Sequence, residues 1–188
     1  MKEKLLLVGA GGFGRVALEQ AVKEYDCFFV DDCYPEKKEV CGASLVGKIK
    51  DLPVLFATYK KLIVTIGNNQ LRARIYAQAR EIGYEFPNLL ASSTYISPFA
   101  KVGKGCVFLN NVVVQNGSRI GNGVLLNCGV EIHHDSSVGD YCLIYGNSVV
   151  RTYARIGKCA HIGSTVSIGV NAIVNDAEIV ADGTVRSA

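Results

Sequence analysis

The sequence predicts two domains of different class: a small α/β, Rossmann-like domain over residues 1–90 and an all-β domain, a parallel β-helix, over residues 91–188. Three observations predict this. Apolar strand-like runs alternate with helix-like stretches in the first half. A glycine-rich loop, "GAGGFG", follows the first apolar run. From about residue 91 the apolar residues recur every six positions, a period that suits neither an α-helix nor an ordinary strand.

The elements follow in order. "KLLLVGA" (4–10) is continuously apolar, as a strand buried on both faces is. Its N-terminal position and its break into glycines and Arg15 fit a first strand better than a signal peptide. Residues 12–25 carry Val16, Ala17, Ala21 and Val22 at helical spacing. "CFFVDD" (27–32) reads as a second strand and "KLIVTIG" (61–67) as a third. Residues 69–83 place Leu71, Ile75, Ala79 and Ile82 on one helical face, with Gly83 suited to the C-terminal cap.

In the second half every sixth residue from Ile96 to Val180 is apolar: Ile96, Val102, Phe108, Val114, Ile120, Leu126, Ile132, Val138, Ile144, Val150, Ile156, Ile162, Ile168, Val174 and Val180. The residues two before them, from Thr94 to Ala172, are small or β-branched, and Glu178 breaks that series. Positions two apart on a strand share a face. Each large and small pair therefore faces inward, and a corner follows. Gly103, Gly121, Gly139 and Gly157 recur every 18 residues, so three hexapeptides make one triangular coil, and positive φ is expected at that glycine corner. An antiparallel sandwich, the plain alternative, would not hold a six-residue register.

Composition excludes several classes. A net charge of +3, with no Lys/Arg run longer than two, gives no footprint for nucleic acid. No apolar run approaches the ~20 residues of a membrane span. The seven cysteines form no C-x-x-C pair, so zinc or iron–sulfur spacing is absent and reduced thiols in a cytoplasm are expected.

"GAGGFG" satisfies G-x-G-x-x-G at Gly9, Gly11 and Gly14, between a strand and a helix. Glycines there let the backbone approach a phosphate at a helix N-terminus. With Asp31 and Asp32 ending the next strand, the residues alone read as a dinucleotide site. About 90 residues leave no room for a second mononucleotide half. Glycine turns that serve packing alone are the plain alternative.

"HHDSS" (133–137) sets two histidines and an aspartate at a corner, between inward Ile132 and Ser136. Imidazole, with an ordinary pKa near ~6.5, accepts a proton at neutral pH. A carboxylate on its other ring nitrogen fixes the tautomer. Thr152 lies 18 residues after His134 and so belongs one coil along the same edge, where its backbone N–H is placed to hold a developing oxyanion. Ordinary polar corner residues are the plain reading of the histidine pair. His161 sits at an outward strand position and reads as surface or interface.

The combination of "GAGGFGR" (9–15), "FVDD" (29–32), "IGNNQLRARIY" (66–76), "YISPFAKVG" (95–103) and "HHDSSVGDY" (133–141) resembles bacterial sugar acetyltransferases of the sialic acid O-acetyltransferase and UDP-4-amino-sugar N-acetyltransferase group. These are left-handed parallel β-helix, hexapeptide-repeat acyltransferases. The resemblance implies acetyl-CoA as co-substrate, no metal, and transfer of acetyl to an amine or hydroxyl of a nucleotide-activated sugar in surface-glycan biosynthesis. It implies His134 as general base assisted by Asp135, the Thr152 amide at the oxyanion, and Leu143 and Ser164 along the coenzyme groove between subunits of a homotrimer. His133 becomes a substrate or neighbour-subunit contact. In the N-terminal domain it implies a nucleotide-sugar rather than a dinucleotide. Gly11, Gly12 and Phe13 would lie at the diphosphate and sugar, Asp31 and Asp32 at base and ribose, and Gly67, Asn68 and Asn69 beside the same crevice. Many members carry a histidine where Phe13 stands, and the usual closing Gly-x-Pro-Ala-Lys segment is not found, so a differently capped last coil is expected. Two other functions remain open: a non-catalytic nucleotide-sugar-binding trimer, and a β-helix carbonic anhydrase-like metalloenzyme built on His133, His134 and His161.

Overall fold

The computed structural model describes residues 2–33 and 38–188. The chain divides into two compact units, Met1–Leu89 and Leu90–Ala188.

The first unit contains β1 (Glu3–Val8), α1 (Gly12–Ala21), β2 (Tyr25–Val30), β3 (Glu39–Val40), β4 (Ala43–Gly47), α2 (Leu52–Leu55), β5 (Lys61–Val64) and α3 (Asn69–Ile82). Its sheet runs β3-β4-β2-β1-β5, parallel except for the β3–β4 hairpin. Leu5, Leu6, Leu7, Val8, Leu62, Ile63 and Val64 are wholly buried, which is why β1 and β5 show no polar alternation. The order reverses at β1, which puts the switch point between the C-terminal ends of β1 and β5, the place where open α/β sheets form a ligand crevice.

Sequence patterning placed β1, α1, β2, β5 and α3 but misjudged the helices' faces and some of the ends. α1 stops at Ala21 and buries Gly14, Ala17, Leu18 and Ala21, leaving Val16 and Val22 exposed. The chain must turn early because β2 already begins at Tyr25. α3 buries Arg72, Ile75, Tyr76 and Ala79, whereas Leu71 and Ile82 are only half-buried. Its C-terminal end matches expectation, with Gly83 at φ +106°, and at its start the Asn68 side chain accepts the Leu71 N–H at 2.9 Å. The hairpin and α2 have no clear signal in their short, mixed sequences.

The second unit is a left-handed parallel β-helix. Its two-residue strands form three sheets of six, five and six strands. Each strand pairs with the one 18 residues later; Val113, Glu131, Val149 and Ser167 lie in register on one face. The core is the predicted inward series: Phe108, Val114, Leu126, Ile132, Ile144, Val150, Ile162 and Ile168 are fully buried, with Cys106, Val112, Ala154 and Ala160 filling the smaller positions.

The corners correct the sequence reading. Positive φ does not fall at Gly103, Gly121, Gly139 or Gly157. It falls at every sixth residue from Gly105 to Gly183, at all three corners of each coil, including Asn111, Asp135, Tyr141, Asn147, Tyr153, Cys159, Thr165, Asn171 and Ala177. The 18-spaced glycines serve close stacking instead. A Cβ at Gly103 would lie 2.7 Å from the Gly121 carbonyl carbon, and one at Gly139 would lie 2.7 Å from that of Gly157.

Candidate active site

In the second unit the chain turns from strand Glu131–Ile132 to strand Ser137–Val138 through His133, His134, Asp135 and Ser136. The His133 carbonyl accepts two hydroxyls, from Ser118 at 2.9 Å and from Ser136 at 2.5 Å. The His134 N–H donates to Gln115 Oε1 at 3.1 Å, and the Asp135 N–H donates to the Asn116 carbonyl at 3.0 Å. The corner is therefore fixed by the coil before it. Asp135 adopts φ +60°, a conformation that Asp tolerates better than most residues. Gly117 stands one coil earlier, and a Cβ there would meet Asp135 Oδ1 at 2.3 Å.

His134 Nδ1 lies 2.9 Å from Asp135 Oδ2, while its Nε2 lies 3.2 Å from Thr152 Oγ1. With the carboxylate as acceptor, Nδ1 carries the proton. Nε2 then presents its lone pair and accepts the Thr152 hydroxyl hydrogen. The imidazole remains half-exposed. Tyr153 stands edge-on to it, with ring centroids 6.0 Å apart. The ring is thus held through both of its nitrogens. Sequence reasoning assigned Thr152 through its amide alone; the structure adds its hydroxyl, whose signal was the 18-residue offset from His134. The same offset, taken backwards from Asp135, reaches Gly117.

Beside His134 lies a cleft of about 630 Å³ on the same edge of three successive coils. Tyr95, Pro98 and Phe99 give it apolar walls, Ser97, Gln115 and Asn116 polar ones, and His134 with Asp135 closes one side. Leu143 and Ser164 are placed differently. Leu143 is 2% exposed on an outward strand position, whereas Ser164 is a half-buried corner residue whose N–H donates to Asp182 Oδ1 at 2.7 Å.

The three histidines do not converge. His133 Nε2 is 3.3 Å from Glu131 Oε2, His134 is bound to Asp135, and His161 packs on Tyr145 at 5.3 Å. Among the described residues no group of three His, Cys, Asp or Glu side chains could hold a metal ion. No helix among them is long and apolar enough to cross a membrane.

In the first unit the four motif glycines divide by role. A Cβ at Gly14 would strike the Gly9 carbonyl oxygen at 1.8 Å, and one at Gly9 would reach Ile66 Cγ1 at 2.9 Å, so packing requires both. Gly11 and Gly12 would meet nothing within 4 Å. Their bare backbone faces open space at the start of α1, with Phe13 half-buried beside it. Asp31 accepts the Ala10 N–H and the Cys33 N–H, both at 2.7 Å, and so ties the glycine loop to the end of β2. Asp32 accepts the Ile49 N–H at 2.8 Å. Across the crevice Gly67 and Asn68 are exposed, while Asn69 is buried and accepts from Arg72 at 2.8 Å. Arg72 itself is fully buried and donates to the Ile66 carbonyl at 2.7 Å. It was not singled out in the sequence, because an Arg on a helical pattern reads as surface.

Comparison with known proteins joins the two halves. Residues 4–79 match the PglD N-terminal domain, and residues 117–152 match the bacterial transferase hexapeptide family of six repeats. The acetyltransferase domain of PglB from Neisseria gonorrhoeae is 28% identical with a TM-score of 0.90, over 98% of this chain and 91% of that one. Over nearly its whole length the chain is similar to a bacterial hexapeptide-repeat acetyltransferase. Two similar structures contain ligands. The PglB domain in complex with acetyl coenzyme A is 27% identical with a TM-score of 0.82, over 98% of this chain and 96% of that one. PerB from Caulobacter crescentus, in complex with CoA and GDP-perosamine, is 27% identical with a TM-score of 0.79, over 98% and 91%. Each of these matches spans both the glycine-loop α/β unit and the hexapeptide prism.

Proposed function

We propose that this sugar acetyltransferase moves the acetyl group of acetyl-CoA onto an amine or hydroxyl of a nucleotide-activated sugar, with His134 as general base. The observation that carries this is the chain of contacts from Asp135 Oδ2 to His134 Nδ1 and from His134 Nε2 to the Thr152 hydroxyl. It leaves one basic nitrogen, correctly tautomerised, at an open corner. The acceptor's nitrogen or oxygen attacks the thioester carbonyl and loses its proton to Nε2 in place of the Thr152 hydroxyl. The negative charge that develops on the carbonyl oxygen is received by the Thr152 N–H. Collapse expels the CoA thiolate, and His134 returns the proton to it.

The open backbone at Gly11 and Gly12, at a helix N-terminus, supports binding of the nucleotide diphosphate in the first unit, with Phe13 at the sugar. Asp31, Asp32, Gly67, Asn68 and Asn69 border this site, and several of them shape its loops. Leu143 and Ser164 belong to the coenzyme side in this reading, and the working assembly is a homotrimer. The neighbours' ligands, acetyl coenzyme A in one and CoA with GDP-perosamine in another, support the same two substrates here.

His134→Ala is expected to lower kcat at least a hundred-fold, as loss of a general base does, while the circular dichroism and the melting temperature stay near wild type. Free CoA release, followed with a thiol reagent, measures it. Turnover within a few-fold of wild type would remove His134 from the mechanism. A non-catalytic binding protein would instead show no acetyl-CoA-dependent turnover before any substitution is made.

A further inference from the structure

The cleft next to His134 contains two aromatic rings that the fold does not use. Tyr95 is 57% exposed and Phe99 is 73% exposed, yet both line the same 630 Å³ space as the base. Other apolar side chains also lie outside this prism, Ile173, Ile179 and Val185 among them, but Tyr95 and Phe99 are the two rings that line the cleft beside His134. Phe99 is held there by its neighbour: its N–H donates to Ser97 Oγ at 3.2 Å, and Ser97 is buried. The other residues lining the cleft are neutral hydrogen-bonding groups, apart from Pro98 and the His134–Asp135 pair. Among the described residues no Lys or Arg lines it.

We infer that Tyr95 and Phe99 form the platform for the acceptor sugar ring and select an uncharged ring with an extended C–H face. This rests on the acetyltransferase reading of His134. An aromatic surface flanked by amides fits a pyranose, whose C–H face packs on the ring while its hydroxyls reach Gln115 and Asn116. A ring bearing a carboxylate would find no cation in the cleft and would face Asp135, so desolvation and repulsion both oppose it.

Steady-state kinetics on the full chain test this, with saturating acetyl-CoA and nucleotide-linked amino sugars as acceptors. Phe99→Ala is expected to raise the acceptor KM about ten-fold with kcat and the acetyl-CoA KM little changed, Tyr95→Ala to act in the same direction, and Phe99→Tyr to restore the KM. An acceptor carrying a ring carboxylate is expected to react with less than about a tenth of the kcat/KM of its neutral 6-deoxy counterpart. An unchanged acceptor KM in both alanine variants overturns the inference, as does an equally good charged acceptor. Loss of the native assembly in gel filtration would assign the rings to a subunit contact and overturn it too. Wild-type protein that turns over no nucleotide-linked sugar would defeat the acetyltransferase reading itself, whereas normal wild-type turnover with insensitive variants defeats the platform alone.

Discussion

Gly117 shows how far a single residue reaches in a stacked fold. It holds φ +71°, and the Asp135 carboxylate lies where its Cβ would be. An L-residue in that left-handed conformation costs about 1–2 kcal/mol. The added methyl group also pushes Oδ1 away and disturbs the 2.9 Å contact between Oδ2 and His134 Nδ1. Gly117→Ala is therefore expected to lower both stability and kcat. Gly42→Ala is the control, since Gly42 also has positive φ but meets nothing within 4 Å. Denaturant melts should show both variants destabilised by a similar backbone cost, and only Gly117→Ala should lose activity by ten-fold or more. Equal activity in the two would show that Asp135 does not need its position. The sequence displayed His134 and Asp135 by type and adjacency. Gly117 and the Thr152 hydroxyl were concealed because their relation to the histidine spans a whole coil, and only the 18-residue offset reveals it.

The prism's last coil carries the two charged intrusions in an otherwise uncharged inward register. Glu178 occupies a small inward position, and Arg186 stands six residues after Val180, where the large apolar series would continue. They meet: Arg186 Nη1 donates to Glu178 Oε1 at 2.9 Å, and Glu178 Oε2 accepts from the Asn175 N–H at 2.9 Å and Nδ2 at 3.0 Å. These hydrogen bonds, the Asn175 backbone N–H above all, hold the Glu178 carboxyl below its ordinary 4.5. A depressed carboxylate stabilises the fold above its ordinary pKa and loses that contribution as the pH falls through the folded value. The terminal coil is therefore expected to loosen first on acidification below 4.5. Two amides report it: Ser167 N–H donates to the Thr184 carbonyl at 2.9 Å and Gly169 N–H donates to the Arg186 carbonyl at 2.7 Å. In Arg186→Ala their hydrogen exchange, corrected for intrinsic rate, should quicken already at neutral pH, while Val149 and Arg151 one coil earlier stay protected. Uniform exchange across these coils would deny the pair its capping role. The hexapeptide register was legible because every inward position repeats the same packing problem. The corners were not. Tyr141, Tyr153, Cys159, Thr165 and Ala177 all adopt positive φ, which local preference opposes and only inter-coil hydrogen bonding and core burial enforce.

Across the whole molecule the seven cysteines sample both cores and both surfaces. Cys27 lies in the α/β unit's sheet, buried, its thiol pushed up to about 11 chiefly by desolvation. Cys106 and Cys142 lie inside the prism, where their thiols approach the Gly121 carbonyl at 3.2 Å and the Gly157 carbonyl at 2.9 Å. Cys33, Cys41 and Cys128 are exposed, and Cys159 is half-buried. Thiolate is the reactive form and burial blocks the reagent, so Cys27 is protected twice over. Alkylation of the native protein near neutral pH, mapped by mass spectrometry, should modify Cys33, Cys41 and Cys128 within minutes and leave Cys27, Cys106 and Cys142 unmodified until denaturant is added. Because the two units have separate cores, Cys27 should report loss of the α/β sheet, and Cys106 with Cys142 should report loss of the prism together. Rapid native labelling of Cys106 or Cys142 would mean that the prism opens on its own. That outcome would contradict a core in which each coil is held by the coil above and the coil below.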